Sequence, residues 1–230
     1  MQESDLAALT RAARTLPALM VTLAPGAARL AQIAALAEAG ARVSLGHADC
    51  TEAEARAAMV AGARAVTHLF NAMSPLGHCA PGLTGAALDG PAAVGIIPDG
   101  VHVAATAFRV AARAAGEQLF AVTDSMAVAG TDAEAFTLNG RTIHRRDGRL
   151  TLDDGTLAGA DVSMPQALRW MTATAGLAPA EALAMTTRRP ADLMGLSDRG
   201  RLTPGARADL VHLAPDGSLN AVRRDGTRLG

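Results

Sequence analysis

Short apolar runs alternate with alanine-rich helical stretches through the first two-thirds of the chain. The runs fall at 20–23, 41–45, 65–67, 94–97 and 119–123, and β-branched residues recur in them. Helical patterns lie between most of them, for instance at 28–39 and 52–60. Thr51 followed by Glu54 reads as a capping box, which starts the second of those helices at Glu52. Residues 75–92 are less regular and are expected to contribute a long functional loop. Strands this short, alternating with helices, predict a parallel sheet joined by crossover connections.

The pattern changes after Gly130. Asn139-Gly140, Asp147-Gly148 and Asp154-Gly155 are turn signals between short strand candidates. Two helices are expected next, at 164–174 and 179–187, with Pro179 suited to a first turn because it has no N–H to leave unsatisfied. From 200 to 213 the chain reads as turns and β-structure of a smaller unit. The βα units repeat as architecture, not as sequence, so a solenoid is not indicated.

Composition narrows the function classes. Hydrophobic residues make up 50% of the 230, yet there are four Phe, one Trp and no Tyr, so the core is built from Ala, Leu, Val and Met. Charge is nearly balanced, with 21 basic against 22 acidic residues. Neither a concentrated basic surface nor stacking aromatics is present, which argues against a nucleic-acid partner. No run is long and apolar enough for a membrane span, and the opening Met1-Gln2-Glu3-Ser4-Asp5 is unlike a secretory signal. Cytoplasmic residence is the economical expectation. Cys50 and Cys79 form no CxxC pair; free thiols are expected, with a single disulfide as the alternative.

Three predicted strand ends finish in polar residues that a buried strand does not need. They are Ser44-Leu45-Gly46-His47, Thr67-His68-Leu69-Phe70-Asn71 and Val122-Thr123-Asp124-Ser125. The C-terminal edge of a parallel sheet is where side chains converge on ligands. Two neutral imidazoles there, His47 and His68, can hold a divalent metal, and Asp124 can manage the proton of an activated water. The competing reading is plain: a histidine at a strand end commonly serves as a hydrogen-bonded structural residue. His102, after the fourth run, is a candidate substrate contact. Cys50 precedes a helix cap and reads as a small packing residue, while His144 and His212 lie in the turn-rich part and carry no role.

At these residues the sequence resembles the N-acetylglucosamine-6-phosphate deacetylases of the amidohydrolase superfamily. The matching stretches include Gly46-His47, Thr67-His68-Leu69-Phe70-Asn71-Ala72-Met73, Pro81-Gly82-Leu83, Asp99-Gly100-Val101-His102, Val122-Thr123-Asp124 and 154–159, in family order. The resemblance implies a partial (βα)8 TIM-like barrel of about five βα units over residues 1–130. Residues 131–230 would hold C-terminal barrel helices and the remainder of a small β-rich domain. It implies His47 and His68 as metal ligands, zinc or iron as the cation, and Asp124 as catalytic acid and base. Asn71 and the backbone at Ala72 would meet a sugar phosphate, His102 would hold the substrate, and the segment containing Leu157 would close over the acetyl end.

Two departures from the family pattern modify these expectations. Cys79 stands where an arginine commonly engages phosphate, and cysteine cannot make that charge-assisted clamp, although His78 is adjacent. An unphosphorylated or related amino sugar is therefore the alternative substrate. The chain also enters the pattern near its fourth strand, so the glutamate that completes the principal metal site is expected outside it. Weak metal binding, poor turnover or a non-catalytic binding role would follow. An exposed strand edge would favour a homodimer or other self-association.

Overall fold

The computed structural model describes residues 1–229. Its first part alternates helix and strand: α1 (Glu3–Thr15), β1 (Met20–Leu23), α2 (Leu30–Glu38), β2 (Arg42–Leu45), α3 (Glu52–Val60), β3 (Ala65–Val66), α4 (Gly82–Asp89), β4 (Ala93–Ile96), α5 (Ala105–Ala115) and β5 (Leu119–Ala121). The five strands form one parallel sheet in sequential order. Sequential parallel strands with covering helices are a barrel's wall rather than a doubly wound sheet, whose order reverses. The chain thus forms a partial α/β barrel of five strands, the expected class.

Both faces of this sheet must be covered, and the sequence supplies the apolar groups. Ile33 and Leu36 of α2, Leu45 of β2, Ile96 of β4 and Phe108 of α5 are all fully buried in one core. Each such side chain contributes about 1.5–3 kcal/mol of burial free energy. The predicted cap of α3 is present: Glu54 N donates to Thr51 Oγ1 and Thr51 N donates to the Glu54 carboxylate. The expected long loop at 75–92 is corrected by α4, which occupies its second half. Leu83, Thr84, Gly85, Ala86 and Ala87 are all buried, so most of this helix shows no amphipathic period to read.

Beyond β5 come two antiparallel meanders. The first is β6 (Ala135–Leu138), β7 (Arg141–Arg146), β8 (Arg149–Thr151) and β9 (Leu157–Ala160). Its first two turns are Asn139-Gly140 and Asp147-Gly148, with φ of 51° and 75°, then 51° and 70°. Both residues of a type I′ turn need positive φ, which is why these pairs set the register. The second meander is β10 (Leu210–Leu213), β11 (Leu219–Arg224) and β12 (Thr227–Leu229).

Between the meanders lie α6 (Met164–Arg169), a π-helical turn (Trp170–Thr174), α7 (Pro179–Thr186) and α8 (Arg188–Leu193). The helix expected at 164–174 is therefore wound in two ways, and α8 adds a third short helix. These helices return to the parallel sheet: Met171, Ala175, Ala182 and Met185 belong to its core. The Arg189 side chain is only 4% exposed and donates from Nη1 to Leu119 O at 2.8 Å and from Nη2 to Glu181 Oε1 at 2.6 Å. Arg42 Nε donates to Leu193 O at 2.8 Å across 151 residues of sequence. The C-terminal helices are thereby tied to β5 and β2.

Candidate active site at the C-terminal strand edge

His47, His68 and Asp124 each lie just past a strand end, and each has positive φ: 50°, 31° and 50°. Phe70 and Ala72, in the loop after β3, join them with φ of 75° and 48°. The other non-glycine residues of this kind, Asn139, Asp147 and Asp225, all precede a turn glycine. Left-handed backbone at a residue with a Cβ costs of order 1–3 kcal/mol and persists where surroundings over-determine it. Its concentration at one sheet edge marks that edge.

The surroundings that impose it are visible. Backbone ladders continue past the strands, with Gly46 N donating to Leu23 O, Thr67 N to Leu45 O and Leu69 N to Gly95 O. Below the histidines, Ser44 Oγ and Thr67 Oγ1 are 2.6 Å apart, and Thr67 Oγ1 is 3.0 Å from Thr22 Oγ1. Gly46 must lack a side chain, because a Cβ there would lie 2.9 Å from Thr67 Cβ. The loop after β3 is pinned by buried Ser74, whose Oγ donates to Cys50 O at 2.6 Å and accepts from Leu83 N at 2.7 Å. Cys50 is buried as a packing residue; it and exposed Cys79 are both free thiols.

The outcome is convergence of the two rings. His47 Nε2 and His68 Nε2 are 2.9 Å apart, so they can share one proton, and a small separation of the rings would let both lone pairs meet one cation. Burial pushes the His68 imidazole below its ordinary value, and the charge of Asp124 opposes that shift. Burial thus favours the neutral form of His68, the form a metal ligand requires. Its Nδ1 is buried without a hydrogen-bond partner among the described residues, a cost of about 1–3 kcal/mol. As donors the two rings fit a divalent cation. Among the described residues no three His, Cys, Asp or Glu side chains gather into one metal site, so the pair is a partial set.

The remaining candidates line the same edge or brace it. Asn71 Nδ2 donates to Leu69 O at 3.0 Å, so its amide nitrogen holds its own loop. Ala72, His78 and Cys79 are exposed. Leu157 lies on β9, and β9 ends against Asp124: Ala160 N donates to Asp124 O at 2.9 Å. His102 is fixed by Asp99, a residue quoted in the motif but given no role of its own. Asp99 Oδ2 is 2.6 Å from His102 Nδ1, while Oδ1 accepts from the Val101 and His102 amides at 2.8 Å each. An Asp three residues before a histidine was the available signal, since that spacing permits this turn.

A partial parallel α/β barrel thus carries two converging imidazoles at the C-terminal edge of its strands, with Asp124 past the end of β5. The sequence profile of the amidohydrolase family matches residues 13–229, and the chain belongs to that family. It is 38% identical over 183 residues to the N-acetylglucosamine-6-phosphate deacetylase of Haemophilus influenzae, covering 78% of this chain and 48% of the relative. It is 38% identical over 199 residues to the N-acetylgalactosamine-6-phosphate deacetylase of Escherichia coli O157:H7, covering 84% and 52%. The crystal structure of the Pasteurella multocida N-acetylglucosamine-6-phosphate deacetylase superposes with a TM-score of 0.95 at 32% identity, over 100% of this chain and 60% of that one. The chain spans about half the length of the curated relatives it matches. Membership implies a metal-dependent mechanism in general terms, and no helix among the described residues is long and apolar enough to cross a membrane.

The Asp99 cluster sets a pH dependence. Burial works to raise the Asp99 carboxyl, but hydrogen bonds from the His102 ring and the two amides outweigh it and hold it below its ordinary value. The unfolded chain therefore takes up this proton first on acidification. The stabilisation is complete above about pH 4 and is lost as pH falls through the folded value. Asp99→Asn should cost about 1–3 kcal/mol at pH 7 and flatten the acid limb of unfolding curves. Its His102 ring should also lose the fixed Nδ1–H tautomer in nitrogen NMR spectra. An unchanged acid limb and tautomer would contradict this account of the cluster.

Proposed function

We propose that this chain carries the metal-binding and proton-transfer edge of an enzyme that hydrolyses the acetamide of N-acetylglucosamine 6-phosphate to glucosamine 6-phosphate and acetate. The observation that carries the reading is the 2.9 Å approach of the His47 and His68 Nε2 atoms, with the charge of Asp124 acting on His68. His47 and His68 would hold a divalent cation, zinc or iron, which when bound polarises a carbonyl and acidifies water. Asp124 takes a proton from the attacking water as the new C–O bond forms at the acetyl carbonyl. It then returns that proton to the amine nitrogen as the C–N bond breaks. His102, braced by Asp99, holds the substrate; Asn71 and the Ala72 backbone face its phosphate; Leu157 covers the acetyl end.

Two imidazoles are fewer protein donors than the three of most catalytic zinc sites. The third donor is accordingly assigned to a group outside the described residues, and a non-catalytic role in binding the sugar is the second reading, favoured by that two-donor set. Exposed Cys79 beside the substrate loop motivates testing phosphorylated and free sugars side by side. Self-association is also proposed, because β1 and β5 are the edges of an open five-stranded sheet. Light scattering over a concentration series should show mass rising above one chain; a monomer throughout would exclude it.

The central test is zinc binding and acetate release by the purified chain and its variants. His47→Ala and His68→Ala should each weaken zinc binding, and Asp124→Asn should leave it nearly intact. Turnover of the phosphorylated sugar should fall roughly 10²–10⁴-fold in Asp124→Asn, the scale of general acid–base catalysis. Equal turnover in Asp124→Asn would remove Asp124 as proton carrier. Sugar binding without acetate release, even with stoichiometric zinc, would favour the binding-subunit reading.

A further inference from the structure

Asp124 occupies a left-handed conformation at the end of an edge strand, and something other than the parallel sheet must hold it there. Beside it lies a cavity of about 340 Å³ bordered by Thr123, Ser125, Arg145, Asp161, Ser163 and Gln166. The contact that does reach it comes from the antiparallel meander. Ala160 N donates to Asp124 O at 2.9 Å, and Ser125 pairs with Ala160 as an isolated parallel bridge. Gly159, with φ of 74°, lies so close that an added Cβ would sit 3.0 Å from Asp124 O and 2.3 Å from Met126 Cγ.

The end of β9 is in turn held by one arginine. Arg145 on β7 donates from Nε to Asp161 Oδ2 at 2.7 Å and from Nη1 to Thr131 O at 2.6 Å. Its own amide donates to Glu134 O at 2.7 Å. Asp161 directly follows Ala160, and Thr131 closes the segment that begins at Asp124. A single guanidinium therefore grips both the residue next to the contact on Asp124 and the far end of Asp124's loop. The Asp161 side chain is 12% exposed and that of Arg145 30%, so the carboxylate is largely covered and the guanidinium partly so. Only a planar, multiply donating cation serves both oxygens at once.

We propose that Arg145 and Asp161 are positioning residues for Asp124, acting through Ala160. The proposal rests on the reading of Asp124 as proton carrier, but the clamp itself can be tested apart from it. Amide hydrogen exchange of Ala160 in the full chain should accelerate at least about tenfold in Arg145→Ala, as local opening becomes easier, while Val94 in the parallel sheet keeps its protection. Asp161→Asn, which preserves shape, should show a smaller acceleration at the same amide. In zinc-supplemented acetate-release assays, Arg145→Ala should lower kcat roughly 10–100-fold with KM little changed, and Arg145→Lys should restore part of the loss.

Unchanged Ala160 exchange in Arg145→Ala would overturn the clamp whether or not turnover is detectable. Accelerated exchange with full kcat, while Asp124→Asn is impaired, would overturn its positioning role. If Asp124→Asn itself keeps full turnover, the proton-carrier reading fails, and the exchange result alone then decides the clamp.

Discussion

In a β-strand successive side chains point to opposite faces, so the direction of each functional group is fixed until the strand ends. Left-handed residues at the strand ends break that alternation. With φ of 50° at His47 and 31° at His68, the backbone turns off the sheet, and the two Nε2 atoms come within 2.9 Å. Asp124, past the end of β5, makes the same kind of turn, and its charge acts on His68. Each turn opposes the steric preference of its own residue. The rest of the structure must therefore supply the compensation.

That compensation is distributed. The hydroxyl chain of Thr22, Thr67 and Ser44 and the close approach at Gly46 hold the ends of β2 and β3 together. Ser74 ties the following loop to Cys50 and to the start of α4. On the other side, β5 has no sixth parallel neighbour among the described residues, and helices distant in sequence secure it through buried Arg189. The first antiparallel meander then reaches Asp124 through Ala160. The meander thus touches the end of β5, although its own small core of Val128, Ile143 and Leu150 is separate.

Much of this was legible in the sequence because it depends on local rules. Five apolar runs became the five parallel strands, Thr51 with Glu54 formed its capping box, and two Xaa-Gly pairs made two-residue turns. The strand-end position of His47, His68 and Asp124 followed from the same pattern. Helix α4 was missed because six consecutive buried residues from Gly82 to Ala87 carry no helical period. The bracing of His102 by Asp99 required seeing a carboxylate engage three donors in one turn. The positive φ of His47, His68 and Asp124 and the pairing of Arg145 with Asp161 are set by tertiary packing, and no local pattern encodes them.

The account stands or falls on where a cation binds. Crystals of the 230-residue chain equilibrated with zinc, with anomalous data collected on both sides of the zinc edge, would locate it directly. The account predicts an anomalous peak within bonding distance of both His47 Nε2 and His68 Nε2, near the Asp124 carboxylate. Zinc found elsewhere, with the two imidazoles still sharing a direct nitrogen-to-nitrogen hydrogen bond, would contradict it.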